Sequence, residues 1–279
     1  MRHTRRSALA LAAGLFVPLP LRASLVGRIR LAVKYHMINE PTLSPAKKLG
    51  LLKAIGLDGT ELKVDDKVDT TELLRATETT GVPVHGIINA SYEDIEPAVK
   101  LADQFGCDSV LVLAREFPDL SYQENTARWQ SNVRAVLPYA EKYGIRLCIE
   151  NVRATFLKTA EGMAEFIDSF NSEMVRSYFD LGNTITWTEQ PAEHWARILG
   201  KRVYKLDIKD RGHPEFGEPR LRREGAVGTN GGEVHWERVR SILIANGFRG
   251  WATAEVAGGD RARLEGIRGW MQDVLELSD

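Results

Sequence analysis

The chain predicts a single α/β domain, a (β/α)8 or TIM barrel, on three observations. Short β-rich runs alternate with longer amphipathic segments eight times from Arg30 to the C-terminus. A glycine stands just after six of the helical segments: Gly56, Gly81, Gly106, Gly144, Gly200 and Gly247. No stretch rich in Pro, Gly or Ser divides the chain, and no G-x-G-x-x-G follows the first strand, as a doubly wound nucleotide-binding sheet would require.

The elements follow in order. The first strand is expected over Arg30–Tyr35, and its helix over Pro45–Ile55, where Leu49, Leu52 and Ile55 recur at helical spacing. Gly59–Leu62 is the second strand; its helix, Thr71–Thr79, stops at Gly81, just before the strand that follows Pro83. Val84–Ile88 and Ser109–Ala114 are the third and fourth strands, apolar as strands buried on both faces are, with helices at Glu93–Phe105 and Glu124–Lys142. Ile145–Glu150 leads to helix Ala160–Phe170, Arg176–Asp180 to Ala192–Leu199, Val203–Ile208 to Trp236–Ile244, and Gly250–Val256 to Ala262–Leu275.

Composition sets outer bounds. The 279 residues are 43% hydrophobic and 27% charged, which excludes wholesale disorder. With 37 basic against 38 acidic residues there is no surplus of positive charge for phosphates, so a nucleic-acid binder is not expected. Cys107 and Cys148 are too few for a disulfide framework or a thiolate zinc site.

Residues 1–23 read as an export signal: Arg2, Arg5 and Arg6, then an apolar run from Ala8 to Leu21, then Arg22-Ala23. The run is too short to span a bilayer comfortably. Arg5-Arg6 followed by Ser7-Ala8-Leu9 resembles a twin-arginine address. Cleavage after Ala23 leaves the barrel as residues 24–279, with 33 basic against 38 acidic residues and a net charge of −5. The expected location is periplasmic, with no stable membrane insertion after cleavage and a homo-oligomer as an open possibility.

In such a barrel chemistry sits at the carboxyl ends of the strands. Those ends supply Glu61, His85, Arg115, Glu150 with Asn151, Asp180 with Asn183, Asp207 with Lys209 and Asp210, and Glu255. Each acid taken singly reads equally well as a solvated loop residue or a helix cap, and Asp210 and Glu61 are candidates for that role. Four consecutive strands ending in Glu150, Asp180, Asp207 and Glu255 are a stronger sign, because carboxylates crowded at one mouth repel unless a cation is shared. One divalent ion is expected, and oxygen donors suit Mn²⁺, Mg²⁺ or Ca²⁺. The alternative is neutralisation by Lys205 and Lys209 without a metal.

The same residues carry a resemblance. CIEN (148–151), YFDLGN (178–183), KLDIKD (205–210), GEVHW (232–236) and GFRGWATAEV (247–256) are similar to the sugar phosphate isomerase/epimerase family of xylose-isomerase-like barrels, related to D-tagatose 3-epimerase, over nearly the whole chain from Arg30. The resemblance implies a divalent-metal-dependent isomerase or epimerase working beside a sugar carbonyl. It implies Glu150, Asp180 and Glu255 as metal ligands, and Glu150 and Glu255 as the proton-transferring pair on opposite faces of the reacting carbon. The family's histidine ligand is Asp207 here, and Asn183 stands where many relatives place a substrate-binding histidine. His213, in the loop after the seventh strand, is a candidate replacement nitrogen ligand. Glu61, His85, Arg115, Asn151, Asn183, Lys209 and His213 are the candidate substrate-binding set.

The same geometry also supports aldose–ketose isomerisation or β-elimination from a 3-keto-glycoside. An exported protein meets unphosphorylated sugars, so an unphosphorylated sugar or glycoside is expected. Arg220, Arg222 and Arg223 read as a solvated charge run, and Arg211–Gly232 as a specificity loop. Trp187 and Phe156 are candidates to stack on a sugar ring, while Trp195 reads as core. A sugar-binding barrel without catalysis is the rival reading. The endonuclease branch of this superfamily is disfavoured by 6 histidines in the full chain and the negative charge.

Overall fold

The computed structural model describes residues 24–188, 190–218 and 231–277. The export-signal reading of residues 1–23, Arg220, Arg222 and Arg223, and the middle of the long loop after the seventh strand lie outside the described residues. Among the described residues no helix is long and apolar enough to cross a membrane.

Eight parallel strands close into a barrel: β1 (Ile29–Lys34), β2 (Gly59–Lys63), β3 (Val84–Asn89), β4 (Ser109–Val112), β5 (Arg146–Glu150), β6 (Val175–Asp180), β7 (Val203–Ile208) and β10 (Gly250–Ala254). Neighbours in sequence are neighbours in the sheet, and β10 pairs with β1 to shut the ring, with Val33 opposite Ala254. A parallel pair of two-residue strands, β8 (Asp210–Arg211) and β9 (Gly217–Glu218), stands beyond the end of β7. The helices are α1 (Pro45–Ala54), α2 (Thr70–Thr80), α3 (Glu96–Phe105), α4 (Tyr122–Tyr143), α5 (Ala160–Asp168), α6 (Leu181–Trp187), α7 (Ala192–Leu199), α8 (Trp236–Ala245) and α9 (Arg261–Leu275).

The single-barrel expectation is met, and the six glycines after helices all hold positive φ, between 54° and 78°. At Gly81 and Gly144 a side chain would meet open space, so the left-handed backbone itself is what calls for glycine. Several boundaries differ by one to three residues. α3 starts at Glu96 rather than Glu93, because Pro97 fits only in a first turn. The fourth strand ends at Val112 and the eighth at Ala254, short of Ala114 and Val256. One helix was not expected: α6 starts at the residue after Asp180, whose carboxylate accepts the Asn183 backbone N–H at 2.8 Å as an N-cap.

Most of the core lies between sheet and helices, where Val33, Val110, Ile149, Phe179 and Leu206 meet Leu49, Leu73, Trp129, Trp195 and Met271, all buried. The inside of the barrel is different. Ile88, Leu111, Cys148 and Tyr178 form a small separate apolar cluster there. Beside it runs a buried polar column, in which Lys205 Nζ reaches Asp108 Oδ1 (2.7 Å), His85 Nδ1 (2.9 Å) and the His85 carbonyl (2.7 Å). Both cysteines are free and buried.

Candidate functional site

Side chains on a strand alternate between faces, so Glu150, Asp180 and Asp207 share the inward parity of their strands at the carboxyl end. The register brings Asp180 opposite Asp207, and Asp207 opposite Thr253, two residues before Glu255. Glu255 follows β10 directly, and its N–H extends the ladder to the Ile208 carbonyl at 3.1 Å. The result is a cluster in which Glu150, Asp180, Asp207 and Glu255 each offer an oxygen, all within 4.8 Å of one another.

Two ammonium groups enter this cluster. Lys209 Nζ is 2.9 Å from Asp180 Oδ2 and 2.8 Å from Glu255 Oε2. Lys34 Nζ, from the end of β1, is 3.1 Å from Asp207 Oδ2 and 2.8 Å from Glu255 Oε1. Lys34 was not among the sequence candidates, and it takes the part expected of Lys205, which lies deeper in the barrel with His85 and Asp108. Glu150 is held differently, by the Asn183 amide at 3.3 Å.

The electrostatics follow from burial and these two cations. Burial pushes the Glu150 carboxyl up to about 8, with Glu255 adding repulsion. Burial likewise raises Asp180 against the pull of Lys209, and Asp207 against the pull of Lys34. Burial would raise Glu255 too, but Lys34 and Lys209 overcome it and hold that carboxyl well below the usual range. Lys34 loses proton affinity to burial and regains more from Asp207, Glu255, Glu150 and Glu61, ending well above the lysine range.

The residue set fits a divalent cation. Opposite oxygens around a hard cation at about 2.1–2.5 Å lie about 4.2–5 Å apart, which matches the span of the four carboxylates. With all four acids ionised and both lysines charged, the cluster keeps two negative charges, the complement of one divalent ion. Asp207 Oδ1 is buried without a hydrogen-bond partner, so a lone pair is available on that acid.

The other sequence candidates divide. Asn151 ties the ends of two strands: its amide donates to the Asp180 carbonyl (2.7 Å), and its oxygen accepts the Asp180 N–H (2.9 Å). Asn183 touches both Asp180 and Glu150, and its oxygen accepts the Trp187 indole N–H at 3.1 Å. Both asparagines also line a cavity of about 370 Å³, together with Trp187, Arg153, Lys158 and Glu116; the four acids are not among its lining residues. The Arg153 guanidinium sits 4.9 Å from the Trp187 ring. A larger hollow of about 530 Å³ lies between α3 and α4 and shares no residue with the acid site.

Glu61, His85, Arg115 and His213 stand outside the cluster. Glu61 is buried 3.8 Å from His85 and raised by burial against Lys205 and Lys34. His85 is a core residue: it stacks on Trp251 at 4.0 Å and accepts from Lys205 at Nδ1, which leaves Nε2 to donate to Thr253 Oγ1 at 3.3 Å. Burial and the adjacent Lys205 hold its pKa well below the imidazole range, so it stays neutral. Arg115 donates to the Ala90 carbonyl at 3.0 Å and buttresses a loop. His213 is not part of the acid cluster. Its Nδ1 accepts the N–H groups of Glu215 and Phe216 (3.1 and 3.0 Å), and its ring packs on Phe216 and Trp270.

Two further expectations are corrected. Asp210 is no solvated residue: it is buried, accepts from Glu233 N, Val234 N and Trp236 Nε1, and clamps the chain after the long loop onto β7's end. Phe156 is buried edge-on to Phe166 and Tyr122, so it cannot offer a face to a sugar, whereas Trp187 is partly exposed. Trp195 is core, as expected.

The sequence model described as xylose isomerase-like TIM barrel matches residues 49–274. No curated protein sequence matches the chain. Among solved structures, it is similar to a 3-keto-D-glucoside 4-epimerase, YcjR, from E. coli in apo form, with TM-score 0.67 and 15% identity over 88% of this chain and 99% of that one. It is also similar to a D-allulose 3-epimerase from Methylomonas sp., with TM-score 0.71 and 15% identity over 89% and 98%. The IOLI protein with a bound zinc atom matches with TM-score 0.70 and 14% identity over 88% and 98%.

Proposed function

We propose, for a chain that belongs to the xylose isomerase-like TIM barrel family, the activity of a divalent-metal-dependent isomerase or epimerase acting next to the carbonyl of an unphosphorylated sugar or sugar derivative. The observation that carries the reading is the cluster of Glu150, Asp180, Asp207 and Glu255, with ligand oxygens within 4.8 Å of one another. The reading of residues 1–23 as an export signal supports an unphosphorylated substrate and a periplasmic site of action.

Glu150, Asp180, Asp207 and Glu255 would hold one ion, with Mn²⁺, Mg²⁺ and Ca²⁺ as the candidates that suit four oxygen donors. When bound, such an ion supplies charge stabilisation for the anion that forms when a C–H beside a carbonyl is ionised. The chain's own part is proton traffic and positioning. Glu150 and Glu255 come from β5 and the end of β10, with β6 and β7 between them in the ring. Placed on two sides of the centre, the two carboxylates are positioned for one to take a proton from the reacting carbon and the other to return it. Asn151 and Asn183 fix the acids, Lys209 offers an ammonium to a developing oxyanion, and Trp187 presents an indole to a sugar face.

β-Elimination from a 3-keto-glycoside is the second reading, favoured by the similarity to a 3-keto-D-glucoside epimerase. It uses the same proton removal, after which the glycosidic oxygen leaves instead of the proton returning.

The test is metal content by mass spectrometry of the purified protein beside a Glu150→Gln/Glu255→Gln double variant. Near-stoichiometric Mn, Mg or Ca in the wild type and loss in the variant is the expected result. It is followed by hydrogen exchange from D₂O into free and 3-keto sugars, with glycoside cleavage scored in the same assay. No bound metal and none taken up on titration would overturn the reading in favour of a sugar-binding barrel.

A further inference from the structure

We propose that Lys34 is a tethered counter-cation of the acid centre: it competes with the divalent ion for Asp207 and Glu255, and so keeps that ion weakly held and exchangeable. The inference rests on the divalent-ion reading of the cluster. Its observations are geometric. Lys34 Nζ lies 3.1 Å from Asp207 Oδ2 and 2.8 Å from Glu255 Oε1, and both residues belong to the four whose oxygens fall within 4.8 Å of one another. The ammonium therefore stands at the wall of the volume an ion would fill and engages lone pairs on two of its four ligands.

Lys34 is built into that place. It is the last residue of β1, its side chain is 5% exposed, and β1 is pinned on one side by β10 and on the other by β2. An ammonium has three donors and no acceptor, so the buried head can be satisfied only by acceptors such as these oxygens. Lys209 supplies the second charge from the far side, through Asp180 and Glu255. Between them the two lysines touch three of the four acids, while Glu150 accepts from Asn183.

Two consequences follow. A covalently tethered charge neutralises the acids without recruiting an ion from solution, so the barrel can fold with the centre free of metal. A divalent ion arriving later meets a like charge a few ångströms away in a poorly screened interior, and its affinity is lowered by that repulsion. Replacing the ammonium by an apolar side chain of similar length removes the repulsion and leaves four acids in want of a cation.

The experiment compares the full chain, chelator-treated and refolding-checked by circular dichroism, as wild type, Lys34→Met and Lys34→Arg. Free Mn²⁺ is titrated at neutral pH and read by electron paramagnetic resonance, independently of any activity. The Mn²⁺ dissociation constant is expected to be at least about tenfold smaller in Lys34→Met than in wild type, and within about threefold of wild type in Lys34→Arg. Unchanged or weaker binding by folded Lys34→Met, where wild type does bind, overturns the role of Lys34 and leaves the metal reading intact. Binding by Lys34→Met alone supports it. No binding by either protein overturns the metal reading and this inference with it. A second measurement needs no neutral variant: the ¹⁵N-lysine ammonium signal of wild-type Lys34, assigned by its disappearance in Lys34→Arg, is expected to shift as Mg²⁺ is added. A signal indifferent to Mg²⁺ that binds overturns the proposal.

Discussion

Lys34 and Glu255 meet at 2.8 Å across the seam where β1 and β10 close the barrel, so the contact that completes the acid centre also bridges the two ends of the sheet. Glu255 is shared, since its other oxygen accepts Lys209 at 2.8 Å. Glu255→Gln keeps the shape and removes the charge that both lysines use. Chelator-treated Glu255→Gln is expected to lose about 2 kcal/mol in urea denaturation, a moderate value because the Glu255 side chain is 33% exposed. A loss of less than a few tenths would show that the seam does not depend on this charge.

The pH dependence has a definite sign. Burial holds Glu150 up at about 8, whereas an unfolded glutamate titrates near about 4.3. Between those values the folded chain keeps a proton the unfolded chain has lost, so stability from this group falls as pH rises from about 4.3 towards 8. Glu255 works the other way: its depressed pKa gives stability that is present above about 4.3 and is lost as pH falls through its folded value. The melting temperature of chelator-treated wild type should therefore decline between about pH 6 and pH 8, and Glu150→Gln should lack that component. A divalent ion needs the ionised carboxylate, so its added stabilisation should grow over the same window. Identical slopes in wild type and Glu150→Gln would refute the assignment.

Trp187 forms part of the wall of the cavity that Asn151 and Asn183 also line, its indole N–H held by Asn183. Trp187→Leu removes a flat face but no proton-transferring group. On an active sugar, KM is expected to rise about tenfold with kcat within about threefold of wild type. A collapse of kcat at unchanged KM would place Trp187 in the chemistry instead.

His213 holds two backbone N–H groups and packs on Phe216 and Trp270. His213→Ala should leave metal stoichiometry and affinity unchanged and cost about 2 kcal/mol, the penalty for stranding buried donors. Loss of metal without loss of stability would restore it as a ligand.

Much of this was legible in the chain. Strand and helix periods, with left-handed glycines such as Gly81 and Gly144, fix the barrel locally, because each signal spans only a few residues. The acids were legible for the same reason, as each ends a recognisable strand. Lys34 was not. Its partners Asp207 and Glu255 lie at the far end of the sequence, and at the close of a strand a lysine reads as a solvated flank until the ring shuts. α6 was hidden because LGNTITW contains two β-branched threonines, an isoleucine and a glycine, poor helix formers held in place by the Asp180 cap. Asp210 and His213 are both anchors of this loop, which the sequence did not show, because their partners at Glu233, Val234 and Phe216 are set only where the loop folds back.

The link from Glu150 through Asn183 to Trp187 gives the molecule an optical gauge of its own centre. Of the six tryptophans, Trp129, Trp195, Trp236, Trp251 and Trp270 are all buried, and Trp187 alone is partly open to solvent. A soluble quencher such as acrylamide therefore dims one indole selectively. Its emission reports at once on the carboxylate two hydrogen bonds away and on whatever fills the hollow beside it. A change at the acid centre, or in the hollow that Trp187 lines, would be read as a change in its brightness, in the unlabelled wild-type chain.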